Sequence, residues 1–533
     1  MSPGPVRTVS AAELRRMLGD GGELALLDVR EEGAFFKSHL LLAVNLPLSR
    51  LELRLAGLVP RRDTRIVLCD ADDGLAERAA ERMAGFGYSD VAILDGGVAA
   101  WSAAGHELFS GINVPSKAFG EFVEHVYGTP SVSAEELKAM LDAGEKLVVL
   151  DSRPMDEFNL MNIPTGICCP GGELVHRVHD LAPTPDTMVV VNCAGRTRSI
   201  IGAQSLINAG LRNRVVALRN GTMGWHLAGL TLEHGNRRHA PEPSAEAQAK
   251  ARAAAEAVAK RFGVRRIDRD GLRAWQDEAG RRTLYLFDVR SPEEYAAGHL
   301  PGAVSAPGGQ LVQATDRWAA VRNARIVLTD DSGVRAIMTA HWLLQMGWDV
   351  SVLEGGLPAE GLETGARPAS VLGLDAAAAE EISPQALKER LEREGTVVID
   401  LADSRRYRKG HVPGAWWAVR SRLDVAHRRL WASEMYVLTS EDGVLARLAA
   451  PELARLTQTP VRVLAGGTAA WTAAGFDLAE GRENMADEAD DVALRPYDRD
   501  EGVEDAMRDY LSWEIDLVHQ IERDGTLRFQ AFA

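Results

Sequence analysis

Continuous apolar runs that end in a carboxylate recur along the chain: Leu24-Ala25-Leu26-Leu27-Asp28, Leu147-Val148-Val149-Leu150-Asp151, Leu284-Tyr285-Leu286-Phe287-Asp288 and Val397-Val398-Ile399-Asp400. They do not alternate with polar residues, so they predict strands buried on both faces of a parallel sheet. A second apolar run follows each: Ile66-Val67-Leu68, Met188-Val189-Val190-Val191, Ile326-Val327-Leu328 and Met435-Tyr436-Val437-Leu438. A helical stretch comes next. A third run then ends in glycine, at Gly96-Gly97, Asn220-Gly221, Gly355-Gly356 and Gly466-Gly467. Trp101, Trp225 and Trp471 stand one helical turn beyond that glycine, and the third copy has Pro358-Ala359-Glu360 there instead. Strands alternating with helices at domain-sized intervals predict tandem parallel α/β domains, not a solenoid of short repeats.

The repeats are placed at 1–110, 111–235, 263–365 and 382–480, with a helical linker at 236–262, a second linker at 366–381 and a tail at 481–533. Phe109 to Thr129 predicts a packed helix over Ala118 to Tyr127. The Ala/Glu/Lys-rich segment from Pro241 to Lys260 predicts a solvent-exposed helical spacer between two pairs of repeats, the first repeat being the companion of the second. The tail opens with the acidic stretch Asp487 to Asp491. It then places Val503, Met507, Tyr510, Leu511, Trp513, Leu517, Val518 and Ile521 on one helical face. That face either docks on the protein's own domains or serves as a partner-binding arm.

A length of 533 residues fits three or four domains. A net charge of -16 argues against nucleic acid or an anionic membrane as partner. Four cysteines, Cys69, Cys168, Cys169 and Cys193, imply a reducing compartment and no disulfide framework. No spacing resembles a zinc site, and no motif calls for a metal or an organic cofactor. Met1 to Arg7 has no apolar leader core, and no run approaches membrane-spanning length. The expectation is a cytoplasmic protein whose oligomeric state the sequence leaves open.

The candidate chemistry lies at Asn192-Cys193-Ala194-Gly195-Arg196-Thr197-Arg198-Ser199. Cys193 is placed at the carboxyl end of a strand and before a helix, where open α/β sheets bind ligands. Turn N–H groups, the helix dipole, Arg196 and Arg198 all favour an anion there, and such a setting lowers a thiol below about 8.5. The plainer alternatives are a buried cysteine, an Arg198 that pairs with a surface acid and an Arg196 that faces water.

Asp28-Val29-Arg30, Gly298-His299-Leu300-Pro301-Gly302-Ala303, Gly410-His411-Val412-Pro413-Gly414-Ala415, the Cys193 loop and the glycine–tryptophan endings together resemble rhodanese domains, in four tandem copies. The resemblance implies a five-stranded parallel sheet with helices on both faces and sulfur transfer at a cysteine after the fourth strand. It assigns Cys193 as catalytic and Ala194, Gly195, Arg196, Thr197 and Arg198 as the substrate-binding loop. The short spacing from Cys193 to Arg198 resembles the family's sulfurtransferases, whereas its phosphatase relatives have one residue more. The implied reaction takes sulfur from a small anionic donor such as thiosulfate and passes it to a thiol, a cyanide-like acceptor or a protein. The alternatives are a non-catalytic interaction or redox-sensing scaffold and, less favoured, a phosphatase or arsenate-reductase-like enzyme.

The copies differ at the key position. Alignment sets Cys193 against Asp70, Asp330 and Ser440, none of which can carry a transferable sulfur, while Cys69 falls one residue early and points into the sheet. Asp151 and Arg153 resemble a structural ion pair. Asn162 stands where the other copies have His39, His299 and His411, which argues that this position pins a turn. Cys169, of the vicinal pair Cys168-Cys169, could act as a resolving thiol or be a strand-end cysteine, and Arg177 or His176 could line the pocket.

Overall fold

A computed structural model of the chain describes residues 6–430 and 433–532. Met1 to Pro5, part of the stretch read above as lacking a leader, lie outside them. Each repeat forms one five-stranded parallel sheet with helices on both faces. In the second repeat the strands are Ser131–Val132, Leu147–Asp151, Ile167–Cys168, Met188–Asn192 and Val215–Leu218, and their order across the sheet is first, fifth, fourth, second, third. The same order recurs in the other three. Met188–Asn192 is buried along its whole length, as a central parallel strand covered on both faces must be. Val321–Arg322 of the third repeat adds a sixth, antiparallel strand to the first sheet, beside Leu24 and Ala25.

The glycine endings have a steric cause. Gly97, Gly221, Gly356 and Gly467 all have positive φ. A Cβ on them would collide with backbone of Asp70, Cys193, Asp331 and Ser440 respectively, so only glycine allows the two turns to meet. The contact is hydrogen-bonded: Thr222 N donates to Cys193 O at 2.9 Å, Val98 N to Asp70 O at 3.0 Å and Thr468 N to Ser440 O at 2.9 Å. This fixes Cys193, Asp70 and Ser440 as equivalent positions.

His39, His299 and His411 each set Nδ1 against the carbonyl four residues earlier, on Phe35, Tyr295 and Tyr407. Asn162 Nδ2 donates to Phe158 O in the same way. The position holds a turn.

The repeats pair differently from expectation. The turn after the third strand makes the contacts: Gly172 lies against Gly309, joining the second repeat to the third, and Arg420 joins the fourth to the first through Glu52 at 2.6 Å. The supposed spacer is helix Ala245–Phe262, and it is not solvated. It buries Ala247, Ala251, Ala255, Val258 and Phe262 against helices Leu174–Leu181 and Val334–Gln345. The sequence reading took its alanines as helix formers; here they are also a flat face that lets helices approach closely. Helix Val114–Tyr127 buries Phe119 and Val123 and packs on both the Cys193 helix and the tail helix Val503–Asp524. The tail therefore docks on the protein itself, through Met507, Leu511, Leu517 and Ile521. The acidic stretch before it is an ordered strap: Asp487 accepts from Val419 N at 2.8 Å, Asp491 from Ser404 N at 2.9 Å, and Asp490 pairs with Arg422 at 2.8 Å. Among the described residues no helix is long and apolar enough to cross a membrane.

Candidate active site

Strand Met188–Asn192 ends directly at Cys193, and helix Thr197–Asn208 begins after a three-residue turn. The chain has to reverse within Ala194, Gly195 and Arg196, and so the first helical N–H groups face back toward the thiol. Cys193 Sγ lies 3.5 Å from Ser199 Oγ. That hydroxyl also lies 2.8 Å from Arg196 O, and when the thiol ionises it can turn its proton to the sulfur instead. Among the described residues the N–H groups of Gly195, Arg196, Thr197 and Arg198 have no hydrogen-bond acceptor.

The other three loops satisfy some of their turn and helix-start N–H groups internally. Asp70 accepts from Asp72 N at 2.9 Å and from Ala76 N at 2.9 Å. Asp330 accepts from Gly333 N at 2.7 Å and Arg335 N at 2.9 Å. Ser440 Oγ accepts from Ala446 N at 3.3 Å. Each side chain caps its own helix. Asp70 and Asp330 thus occupy donors of their own turns, whereas the four N–H groups beside Cys193 have no acceptor among the described residues.

Cys193 is 2 % exposed. Burial pushes its thiol up, Glu514 adds to that rise, and Arg198 and the Ser199 contact oppose it. The expected lowering is therefore not met in this arrangement, because the tail covers the loop: Tyr510, Leu511 and the Glu514 carboxylate lie against Gly195. Thr197 Oγ1 donates to Glu514 Oε1 at 3.1 Å. Lys117 reaches the same carboxylate at 3.3 Å and also donates to Tyr510 Oη. Burial lowers the Lys117 ammonium.

The two arginines part company. Arg196 turns to the helix Val114–Tyr127, where Nε and Nη2 each lie 2.7 Å from Glu121 and Nη2 also meets Glu124. This corrects the assignment of its side chain as a substrate ligand: two carboxylates already hold the guanidinium, which anchors the loop, while its backbone N–H stays open beside Cys193. Arg198 is bidentate to Glu157 at 2.9 and 2.7 Å, yet it lines a cavity of about 360 Å³ together with Ala194. Gly195 and Thr197 sit in the turn under the tail. Cys169 is fully buried, and burial pushes its thiol far up and that of Cys168 to about 12. Among the described residues no hydrogen bond joins either to Cys193; the Cys168 thiol donates to Arg153 O at 3.4 Å. Arg177 is held by Glu173 at 2.8 Å, Pro241 O at 2.7 Å and Glu242 at 3.0 Å, which places it at the linker and not in this cavity. His176 is likewise not among the cavity residues. Asp151 and Arg153 form a fully buried pair at 2.7 Å.

Sequence reasoning missed Lys117, Glu514, Tyr510, Arg495 and Tyr497. For Tyr510 and Glu514 the signal was the amphipathic tail helix, which marks a docking surface but not its target; Lys117, Arg495 and Tyr497 lie outside that helix.

The Rhodanese-like domain family model matches residues 10–104, 133–228, 268–359 and 383–474. A crystal structure of a thiosulfate sulfurtransferase from Pseudomonas aeruginosa is 52% identical, covers 99% of this chain and 100% of its own, and superposes with a TM-score of 0.96. A Bacillus subtilis (strain 168) protein named "Putative sulfur carrier protein YrkF" is 25% identical over 139 residues, 24% of this chain and 71% of its own. The HTH-type transcriptional regulator Rv0324 of Mycobacterium tuberculosis (strain ATCC 25618 / H37Rv) is 32% identical over 112 residues, 21% of this chain and 48% of that regulator, about half its length.

Proposed function

The chain belongs to the rhodanese-like domain family, and from that premise we propose that it is a sulfurtransferase working through a persulfide on Cys193. The observation that carries this reading is the set of open N–H donors around Cys193; Asp70 and Asp330 take equivalent turn donors in the first and third repeats, and Ser440 offers no thiol. Oriented backbone donors at a helix start bind anions. They would hold the anionic donor and then the persulfide.

In the first half-reaction the Cys193 thiolate attacks the outer sulfur of a donor such as thiosulfate. The new S–S bond forms as the old one breaks, and sulfite leaves with the electron pair. In the second, a thiol, cyanide or a protein thiolate attacks the outer sulfur of the persulfide and Cys193 leaves as thiolate. Arg198, beside the loop and on the cavity wall, supports the donor's charge. Ser199 steadies the sulfur through the contact at 3.5 Å. The three repeats without a cysteine at this position serve as scaffold around this one centre. Four free cysteines support a reducing, cytoplasmic setting.

Intact-protein mass spectrometry tests the reading. Incubation with thiosulfate is expected to add one sulfur to the wild type, cyanide to remove it, and Cys193→Ser to abolish it. No gain in the wild type would overturn the assignment.

A further inference from the structure

Against the turn that carries Cys193 lies a buried carboxylate that the two half-reactions do not use. Glu514 is 1 % exposed. Its Oε1 accepts from Thr197 Oγ1 at 3.1 Å, from Tyr510 Oη at 2.9 Å and from Lys117 Nζ at 3.3 Å. Its Oε2 is buried and has no partner among the described residues. That atom faces the turn: a Cβ on Gly195 would lie 3.1 Å from it. A buried acceptor left without a donor is costly and rare. Lys117, Tyr510 and Glu514 all lie outside the residues that the family model matches, so this chain adds them to the loop that the repeat supplies.

The charges around that turn are already matched. Arg196 is held by Glu121 and Glu124, Arg198 by Glu157, and Lys117 by Glu514. The groups that act on Glu514 are Lys117 and Glu121 from helix Val114–Tyr127, Cys193 and Arg196 from the loop, and Tyr510 from its own helix. Arg196, Arg198 and Lys117 together meet four carboxylates, which leaves none of these cations for a further anion in the turn. A persulfide anion on Cys193 would be that further anion. Two like charges held close together away from water do not both ionise, and the site lowers its energy by keeping a proton on one of them. In the unloaded site Glu514 already opposes ionisation of the Cys193 thiol. A proton on Oε2 also turns the orphaned acceptor into a donor beside the turn.

We propose that Glu514 and Cys193 share a single negative charge through the cycle: Glu514 is a carboxylate while Cys193 is a thiol, and a carboxylic acid while Cys193 carries the persulfide anion. The proposal rests on the sulfurtransferase reading and adds the residue that stores its proton. In loading, the Cys193 thiol gives up its proton and attacks the outer sulfur of thiosulfate as the thiolate. The donor's S–S bond breaks, sulfite leaves with the electron pair, and the proton ends on Glu514 Oε2. In discharge, cyanide or an acceptor thiolate takes the outer sulfur, and Cys193 leaves with the electron pair and recovers that proton. The summed charge of the two groups stays at one negative throughout, and no oxidant or reductant is needed. Glu514 is thus a positioning residue for charge, acting through the proton it holds and not by binding the donor.

The test loads the full chain with thiosulfate at pH 7.5, as wild type and as Glu514→Gln, with thermal melting to check that the variant folds. Infrared difference spectra of loaded against unloaded protein are expected to show a protonated-carboxyl C=O band in the wild type. Discharge with cyanide is expected to remove that band, and Glu514→Gln to lack it. A pH indicator in weak buffer is expected to read about half a proton or more released per sulfur transferred in Glu514→Gln beyond the release in the wild type, because the variant has no carboxylate to take the thiol's proton. Should Glu514→Gln not fold, Glu514→Asp is expected to shift the band, and a band left in place would overturn the proposal. No new band in the loaded wild type, a band that survives in Glu514→Gln, or equal proton release by the two proteins would also overturn it, while leaving sulfur transfer intact. Failure of thiosulfate to load Cys193 in the wild type would overturn the sulfurtransferase reading and this proposal with it.

Discussion

The thiol at the centre of the site is poised between opposing neighbours. Ser199 and Arg198 favour the thiolate of Cys193, whereas burial and Glu514 favour the thiol. Ser199→Ala should therefore raise the thiol's titration midpoint and Glu514→Gln should lower it. Iodoacetamide alkylation followed against pH would show both, with rates at pH 8 moving severalfold in opposite directions. The aspartate at the end of each second strand offers a second residue-scale test. Asp28, Asp151 and Asp288 have arginine partners two residues on, but the fourth repeat has Ala402 there. Burial pushes the Asp400 carboxyl up to about 7, and its Oδ2 has no partner. A carboxyl whose folded pKa lies above its unfolded value, about 3.9, binds an extra proton on folding between those limits. Its stabilising contribution is full below pH 4 and is lost as pH rises through 7. Asp400→Asn should thus raise the melting temperature at pH 8, by an amount worth about 1–3 kcal/mol, and change it little at pH 4.

At the scale of elements, the helix Val114–Tyr127 does more than link two repeats. Gly120 lets it sit directly on the active turn: a Cβ there would lie 2.8 Å from Thr197 Cγ2 and 2.9 Å from Thr197 Cα. Gly120→Val should push the turn away, costing about 1–3 kcal/mol as overpacking does. It should also cut sulfur transfer by more than tenfold, which donor-loading assays on the folded variant would read. The strands, their aspartates, the turn bearing Cys193 and the substitution of the histidine by Asn162 were legible because each depends on neighbours within a few residues. The carboxylates that hold Arg196, Glu121 and Glu124, belong to a different element. So does Glu514, which lies more than three hundred positions from the loop it covers. No local pattern links such pairs, and so the sequence showed an amphipathic tail and a basic turn but not that one closes over the other.

The whole molecule is held by buried ion networks where repeats meet at equivalent turns. Arg335 is fully buried and reaches Glu173 of the second repeat at 2.9 Å, Glu294 of its own repeat at 2.7 Å and Asp331 at 2.9 Å. Arg420 does the corresponding work between the fourth and first repeats, meeting Glu52 at 2.6 Å and Glu452 at 2.7 Å. The first-to-second pairing drawn from chain order failed because the contact surface is the same turn in every repeat. The intervening helices let repeats that are distant in sequence bring those turns together. Arg335 lies in the third repeat, on the helix that follows the closed Asp330 loop, so its loss touches no atom near Cys193. Arg335→Met would leave Glu173 with Arg177 alone, so the loss should be below the ~3–5 kcal/mol of a fully unpaired buried charge but above about 1 kcal/mol. Arg508→Ala, which removes only exposed pairs with Glu504 and Asp505, should cost under about 0.5 kcal/mol. Urea unfolding of both variants measures the contrast. Comparable small shifts would mean that the interface is carried by apolar packing around helix Ala245–Phe262, and that the arginine merely satisfies charges already there.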